Sequence, residues 1–298
     1  MIKNKLKILL LGSGGFVGKN ILEQLRTKYR FYTPRSKTLD LANSQAVNNY
    51  FKKRQFDVVI NLAVFGGSRK TADLSQVIDI NLRFFFNLMH NRKSFKKLIH
   101  FGSGAEYGKQ LPIKQAKESN FSQHIPADYY GFYKYVCSKY LENYQGNFVC
   151  LRPFGIYGKY EDHSIRFISN AICKSMFNLP ITMNQNVYFD YLYINDLVKI
   201  VDYFITHQAK HKFYNVCTGK RISLQTIVKK IIKLNGKNLS IKIKKAGLNK
   251  EYSGNNTRLI KEIAGFKFTD FDQSLKELLD YYQSIKPLIK KTSLLFDN

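Results

Sequence analysis

The apolar positions of this 298-residue chain fall into two repeating patterns, and their order sets out its architecture. Residues 8–11 (Ile-Leu-Leu-Leu) are apolar without a break, as in a strand buried on both faces. Further strands are predicted over 29–33, 57–62, 97–102 and 148–152. Helical spacing predicts helices over 16–28, 44–54, 74–92 and 128–145, the second with Ser44 as its cap. Strands alternating with helices predict a parallel sheet covered on both faces, with its ligand at the carboxyl ends of the strands. Beyond residue 152 the pattern loosens. Helices are predicted there over 164–178, 195–206, 223–234, 256–264 and 272–285, an extended piece over 187–191, and strands over 213–216 and near 239–243. The expected fold class is α/β: a doubly wound parallel sheet with a smaller C-terminal α/β lobe. Residues 1–153 would form the main domain, with segments near 187–217 returning to it; 154–186 and 218–288 would form the lobe, and 289–298 a basic tail.

Chemistry enters at the end of the first strand, where the chain reads Gly12-Ser13-Gly14-Gly15-Phe16-Val17-Gly18. Glycines in a strand-to-helix turn let backbone and pyrophosphate approach closely, and a helix start offers unpaired N–H groups and a positive dipole end. A nucleotide cofactor is expected here, on a Rossmann-type sheet. A tight turn that binds nothing would need the same glycines, so the spacing alone is weak evidence.

Composition narrows the partners. Hydrophobic residues make up 44% of the chain, ordinary for a protein with a real core, and no apolar stretch approaches the roughly 20 residues of a membrane span. No signal-peptide core opens the sequence, and a cytoplasmic protein is expected. Cys137, Cys150, Cys173 and Cys217 lie far apart with no CxxC pair, so reduced buried thiols are expected and neither a metal nor a disulfide is indicated. The formal charge of +27 comes mostly from lysines spread over the whole chain. That reads as solvated surface rather than a nucleic-acid footprint, though the field would also draw in anionic small molecules such as nucleotide diphosphates. The tail lysines Lys286, Lys290 and Lys291 read as a solvated end, with no stable membrane association.

Three further motifs carry a resemblance: Phe101-Gly-Ser-Gly-Ala-Glu-Tyr-Gly108, Tyr130-Gly-Phe-Tyr-Lys134 and Leu151-Arg-Pro-Phe-Gly-Ile-Tyr-Gly158. With the glycine turn, Asp40-Leu41, Asn61-Leu-Ala63, Tyr191 to Asp196 and Tyr214-Asn-Val216 in order, nearly the whole chain resembles the extended short-chain dehydrogenase/reductases. The likeness is to their nucleotide-sugar epimerase/dehydratase/reductase branch, and nearest to GDP-fucose synthase-like enzymes through Asn61-Leu-Ala-Val-Phe-Gly-Gly67. The resemblance implies a Ser103/Tyr130/Lys134 set. Tyr130 and Lys134, four apart, share one helix face, where the ammonium favours the phenolate and eases proton exchange. Ser103 would hydrogen-bond the substrate's carbonyl or hydroxyl oxygen, and Lys134 would also hold the nicotinamide ribose. Leu62, Ala63, Asp40, Leu41 and Tyr130 would also touch the cofactor. Paired helices over 74–92 and 128–145 would make a homodimer, with Phe84-Phe85-Phe86 at the interface or in the core.

The end of the second strand, Thr33-Pro-Arg-Ser-Lys37, has two cations and no acid for a ribose 2′-hydroxyl. A 2′-phosphate would suit Arg35 with help from Ser36, so NADP (NADPH) is expected and NAD is the lesser fit. The family's dehydratases carry Asp-Glu after the serine, where this chain has Gly104 and Ala105. Its bifunctional epimerase-reductases carry a cysteine at position 105 and a histidine near Arg166; His163 would precede the helix. What survives is ketone reduction. The expected reaction is NADPH-dependent reduction of a nucleotide-diphosphate 4-keto-6-deoxysugar, as in sugar-nucleotide synthesis for surface polysaccharides. A 4-epimerase using the same triad is the alternative, and a non-catalytic NADP(H) sensor the third. Ser103, Gly104 and Ala105 would border the substrate. Gly155, Lys159 and Phe189 depart from the family's usual asparagine, proline and arginine; Lys174 or Arg258 would then either meet the diphosphate or stand on a solvated helix face.

Overall fold

The continuous apolar runs form the middle of a sheet, and their alternation decides which side of it each residue supports. The computed structural model describes residues 5–66 and 74–295; Gly67 of the third-strand motif and residues 296–298 of the tail lie outside it. The first half contains β1 (Lys7–Leu11), α1 (Phe16–Leu25), β2 (Arg30–Tyr32), α2 (Ser44–Lys52), β3 (Phe56–Asn61), α3 (Gln76–His90), β4 (Phe95–Phe101), β5 (Ile113–Ala116), α4 (Tyr129–Asn143) and β6 (Phe148–Pro153). Then come β7 (Gly155–Tyr157), α5 (Phe167–Met176), β8 (Ile181–Asn186), β9 (Tyr188–Phe189), β10 (Tyr191–Tyr193), α6 (Ile194–Thr206) and β11 (Phe213–Val216). The chain ends with β12 (Ile222–Ser223), α7 (Leu224–Asn235), β13 (Ile241–Leu248), β14 (Tyr252–Gly254), α8 (Thr257–Glu262) and α9 (Phe271–Ser284).

Six strands form one parallel sheet in the order β11-β6-β4-β3-β1-β2, as the alternation predicted. Leu9, Leu11, Val59 and Leu98 face a core made with α2, α3 and α4, among them Phe51, Phe85 and Leu141. Their neighbours Ile8, Leu10, Ile60 and Ile99 face the other side, where α1 and α6 pack through Ile21, Leu197 and Phe204. That second core runs without a break into α5, α7 and α9. The chain steps from β1 outward to β2 and then returns to β3 on β1's other side, which puts the topological switch point at the carboxyl ends of β1 and β3.

The loosened pattern after residue 152 reflects pairing at long range. Of the stretch 187–217 only β11 joins the main sheet; β10 pairs with β7, and β9 lies in a four-stranded sheet ordered β12-β9-β14-β5. These pieces are two to four residues long, and β5, from before α4, completes that sheet. The strand expected near 239–243 is the eight-residue β13, paired with β8. All four cysteines are buried and free, as expected. Among the described residues, no helix is long and apolar enough to cross a membrane.

Candidate active site

The glycine turn is built for close approach. Gly12 has a φ of +84°, and a Cβ there would lie 2.8 Å from the Leu62 carbonyl carbon at the end of β3. A Cβ on Gly18 would lie 2.3 Å from the Gly12 carbonyl oxygen, so α1 can start against β1 only without one. Gly14, by contrast, faces open space. Gly15 is the N-cap of α1, no side chain caps the helix, and its first turn holds no acid. The free N–H groups of Phe16, Val17 and Gly18 therefore offer a phosphate-sized site with a positive dipole end. Such a cradle fits a dinucleotide pyrophosphate.

Ser103 follows β4 and opens a short 3-10 turn over Gly104–Tyr107 as a capping box. Its Oγ accepts the Ala105 N–H at 3.1 Å, and its own N–H donates to Glu106 Oε1 at 2.8 Å. The other Glu106 oxygen accepts from Arg152 Nε at 2.7 Å, with the two side chains 0% and 1% exposed. The Arg152 guanidinium lies 4.1 Å from the Phe121 ring centre and 4.5 Å from that of Phe213. A buried ion pair clasped by two rings thus anchors the serine's loop. Neither Glu106 nor Arg152 was singled out from the sequence, although the spacing Ser103-x-x-Glu106 is that of a capping box.

Helix α4 starts at Asp128, whose Oδ1 accepts the Gly131 N–H at 2.9 Å, and so carries Tyr130 and Lys134 to the same edge. Lys134 is 5% exposed; its Nζ donates to the Phe101 carbonyl oxygen and lies 5.9 Å from the Tyr130 ring centre. Lys109, paired with Asp128 at 3.2 Å, stands 5.6 Å from the same ring. Beneath them His100 is fully buried, with Nδ1 3.2 Å from Asn61 Nδ2. Burial, then the Lys134 charge, push its imidazole well below the ordinary histidine range, so it is neutral.

The glycine turn, Ser103, Tyr130 and Lys134 line one cleft of about 820 Å³. It brings together Gly12, Gly15, Phe16, Val17, Gly18, Leu62, Ser103, Ala105, Tyr130 and Lys134. Ser13, Gly14, Ala63 and Gly104 adjoin it in sequence without lining it. Arg35 and Ser36 sit in an exposed turn after β2, where the Arg35 N–H donates to Thr38 Oγ1. Asp40 accepts the Ala42 N–H, and the Leu41 carbonyl accepts from Asn87 Nδ2.

Two expected substrate contacts lie elsewhere. Lys174 is buried, because the whole circumference of α5 is buried, and its Nζ donates to Thr182 Oγ1 at 2.7 Å. Arg258 donates from Nη1 to the Phe213 carbonyl at the edge of the main sheet and lines a separate hollow. The cleft's own cations are Lys109, Lys134, Arg166 and Lys250, and the C-terminal part of the chain adds Phe189, Tyr191 and Tyr252 to its wall.

Glu161 also lines the cleft and is 6% exposed. Burial pushes its carboxyl up to about 7, against the hydrogen bond from Ser169 Oγ. An acid whose folded-state value is raised contributes stability that is present below its unfolded value near 4.5 and lost as pH rises through about 7. Glu161→Gln is therefore expected to melt at a higher temperature than the parent above pH 7 and at the same temperature near pH 4.5. Thermal melts across that range check it.

Comparison with known proteins agrees with this fold. Residues 8–217 match the model of the NAD dependent epimerase/dehydratase family. GDP-L-colitose synthase of Yersinia pseudotuberculosis is 24% identical, over 94% of this chain and 99% of that one. A GDP-mannoheptose C4 reductase from Campylobacter jejuni, solved with NADP bound, superimposes with a TM-score of 0.79 at 20% identity, covering 95% and 100% of the two chains. A GDP-L-fucose synthetase from Naegleria fowleri bound to NADP gives 0.81 at 16% identity, covering 98% of each. The expected fold is thus the observed one, and a match running from the first strand of the main sheet through its last makes this chain a member of the NAD dependent epimerase/dehydratase family.

Proposed function

We propose that this protein is a cytoplasmic NADPH-dependent reductase of a nucleotide-diphosphate 4-keto-6-deoxysugar. The observation that carries the reading is the meeting of Ser103, Tyr130 and Lys134 beside the α1 N-terminus, in a cleft whose lining has Ala105 where an epimerising thiol would stand. Relatives named as a GDP-sugar synthase and a GDP-sugar C4 reductase support the substrate class.

Bound NADPH would supply the hydride to C4 of the ketone. Ser103 would donate its O–H to the ketone oxygen, and Tyr130 would deliver the proton to the alkoxide that forms. Lys134 already donates one N–H to Phe101 and has two left for ribose hydroxyls. Arg166 and Lys250 line the cleft and would meet the substrate's diphosphate in place of Lys174 and Arg258, Lys250 with the N–H groups left over from its bond to the Gln110 carbonyl. Arg35 and Ser36 would bind the 2′-phosphate. Helices α3 and α4, whose Phe85 and Phe86 rings meet Tyr140, would pair in a homodimer, with Phe84 and Phe86 half-buried on the outer side.

The test is to mix the protein with NADPH or NADH and GDP-, CDP-, dTDP- or UDP-linked 4-keto-6-deoxysugars, and follow loss of reduced nicotinamide. One NADPH consumed per sugar reduced is expected. Arg35→Ala should raise KM for NADPH by about tenfold, the worth of one charge-assisted contact, and leave NADH unaffected. A finished nucleotide sugar changing its C4 configuration with no cofactor consumed would replace the reductase by a 4-epimerase.

A further inference from the structure

Tyr252 opens β14, far along the chain from the serine, tyrosine and lysine, yet its hydroxyl ends among them. The Ser103 side chain lies beside it, and a Cβ on Gly104 would lie 2.7 Å from the Tyr252 oxygen. The ring is held between Phe154, 5.1 Å away between centres, and Phe189, 5.8 Å away. Its backbone is held as well: the Tyr252 carbonyl accepts the Asp190 N–H at 3.0 Å, and the preceding Glu251 carbonyl accepts the Ile113 N–H at 2.8 Å. Glu251 itself is fixed by Arg221 and Ser253. The hydroxyl therefore has one place to be.

A serine hydroxyl has a single proton to give and two acceptor positions. To donate to a ketone, Ser103 must have its oxygen occupied by donors from the protein side. Ala105 N–H fills one position. We propose that Tyr252 is a positioning residue whose O–H donates to Ser103 Oγ, so that the Ser103 proton points into the cleft at the substrate's C4 oxygen. Burial keeps the Tyr252 phenol above its ordinary range, protonated and able to donate. The proposal rests on the reductase reading for Ser103's role; the hydrogen bond itself does not.

Tyr252→Phe keeps the ring and removes the donor. With a keto sugar that the parent enzyme reduces, kcat is expected to fall about tenfold, the worth of one hydrogen bond, while the sugar's KM, NADPH affinity and melting temperature stay put. If the phenol acts through Ser103, the double variant Ser103→Ala/Tyr252→Phe turns over no more slowly than Ser103→Ala alone. A Tyr252→Phe enzyme with parental kcat, a changed KM alone, or losses that multiply in the double variant would overturn the proposal. An activity-free measurement separates the two readings: 3-fluorotyrosine placed at 252 should shift its fluorine resonance on Ser103→Ala. An unmoved resonance overturns the hydrogen bond. A parent enzyme that reduces no keto sugar overturns the reductase while the resonance still decides the bond.

Discussion

Tyr130→Phe is expected to lower turnover of the keto sugar by about 10²- to 10⁴-fold, the range of a lost positioned general acid. NADPH should still bind, because the pyrophosphate site is built from the backbone of the β1–α1 turn, and Lys134 keeps its hold on the Phe101 carbonyl without the phenol. The ring should also stay in place, since it packs edge-on against Tyr133 at 5.5 Å and the helix is capped by Asp128 independently of it. The loss should therefore appear in kcat with NADPH affinity and melting temperature unchanged, measured by cofactor consumption, nicotinamide fluorescence titration and thermal unfolding. Full activity in the variant would remove Tyr130 from the chemistry. Loss of NADPH binding would make it a cofactor contact instead.

What the sequence disclosed and what it withheld divide along physical lines. A strand buried on both faces is mostly apolar, so β1 was legible as an unbroken run, β3, β4 and β6 as runs interrupted by residues such as Asp57, Lys97, His100 and Arg152, and the helices between them as periods. The glycine turn and the pair on α4 were legible because close approach and a shared helix face demand fixed spacings. The extended piece over 187–191 covers β9, but β12 and β14 are two or three residues whose existence depends on pairing with β9 or β5, and nothing local marks them. Tyr252 inherits that obscurity: its place beside Ser103 follows only from the pairing of β14. Lys174 and Arg258 misled for a different reason. A cation on a helix reads as free to meet an anion, whereas here the Thr182 hydroxyl and the Phe213 carbonyl already satisfy them. Glu106 was readable from its capping-box spacing, but its link to Arg152 joins residues 46 apart.

Arg152→Met is the substitution expected to cost most in stability. Both members of the Arg152–Glu106 pair are buried, and removing one leaves the other charge without its partner, which costs about 3–5 kcal/mol. The Phe121 and Phe213 rings lose their cation in the same step. The melting temperature should fall by roughly 10 °C for a chain of this size. Glu106→Gln/Arg152→Met should regain much of that loss: no charge remains buried, the methionine fills the slot between the rings, and the glutamine oxygen can still accept the Ser103 N–H. Reductase activity should follow the same order, because Ser103 is held through Glu106 rather than by the main sheet. Thermal unfolding of the three proteins decides it. If the double variant melts below Arg152→Met, the cost lies in packing between Phe121 and Phe213 and not in an orphaned carboxylate.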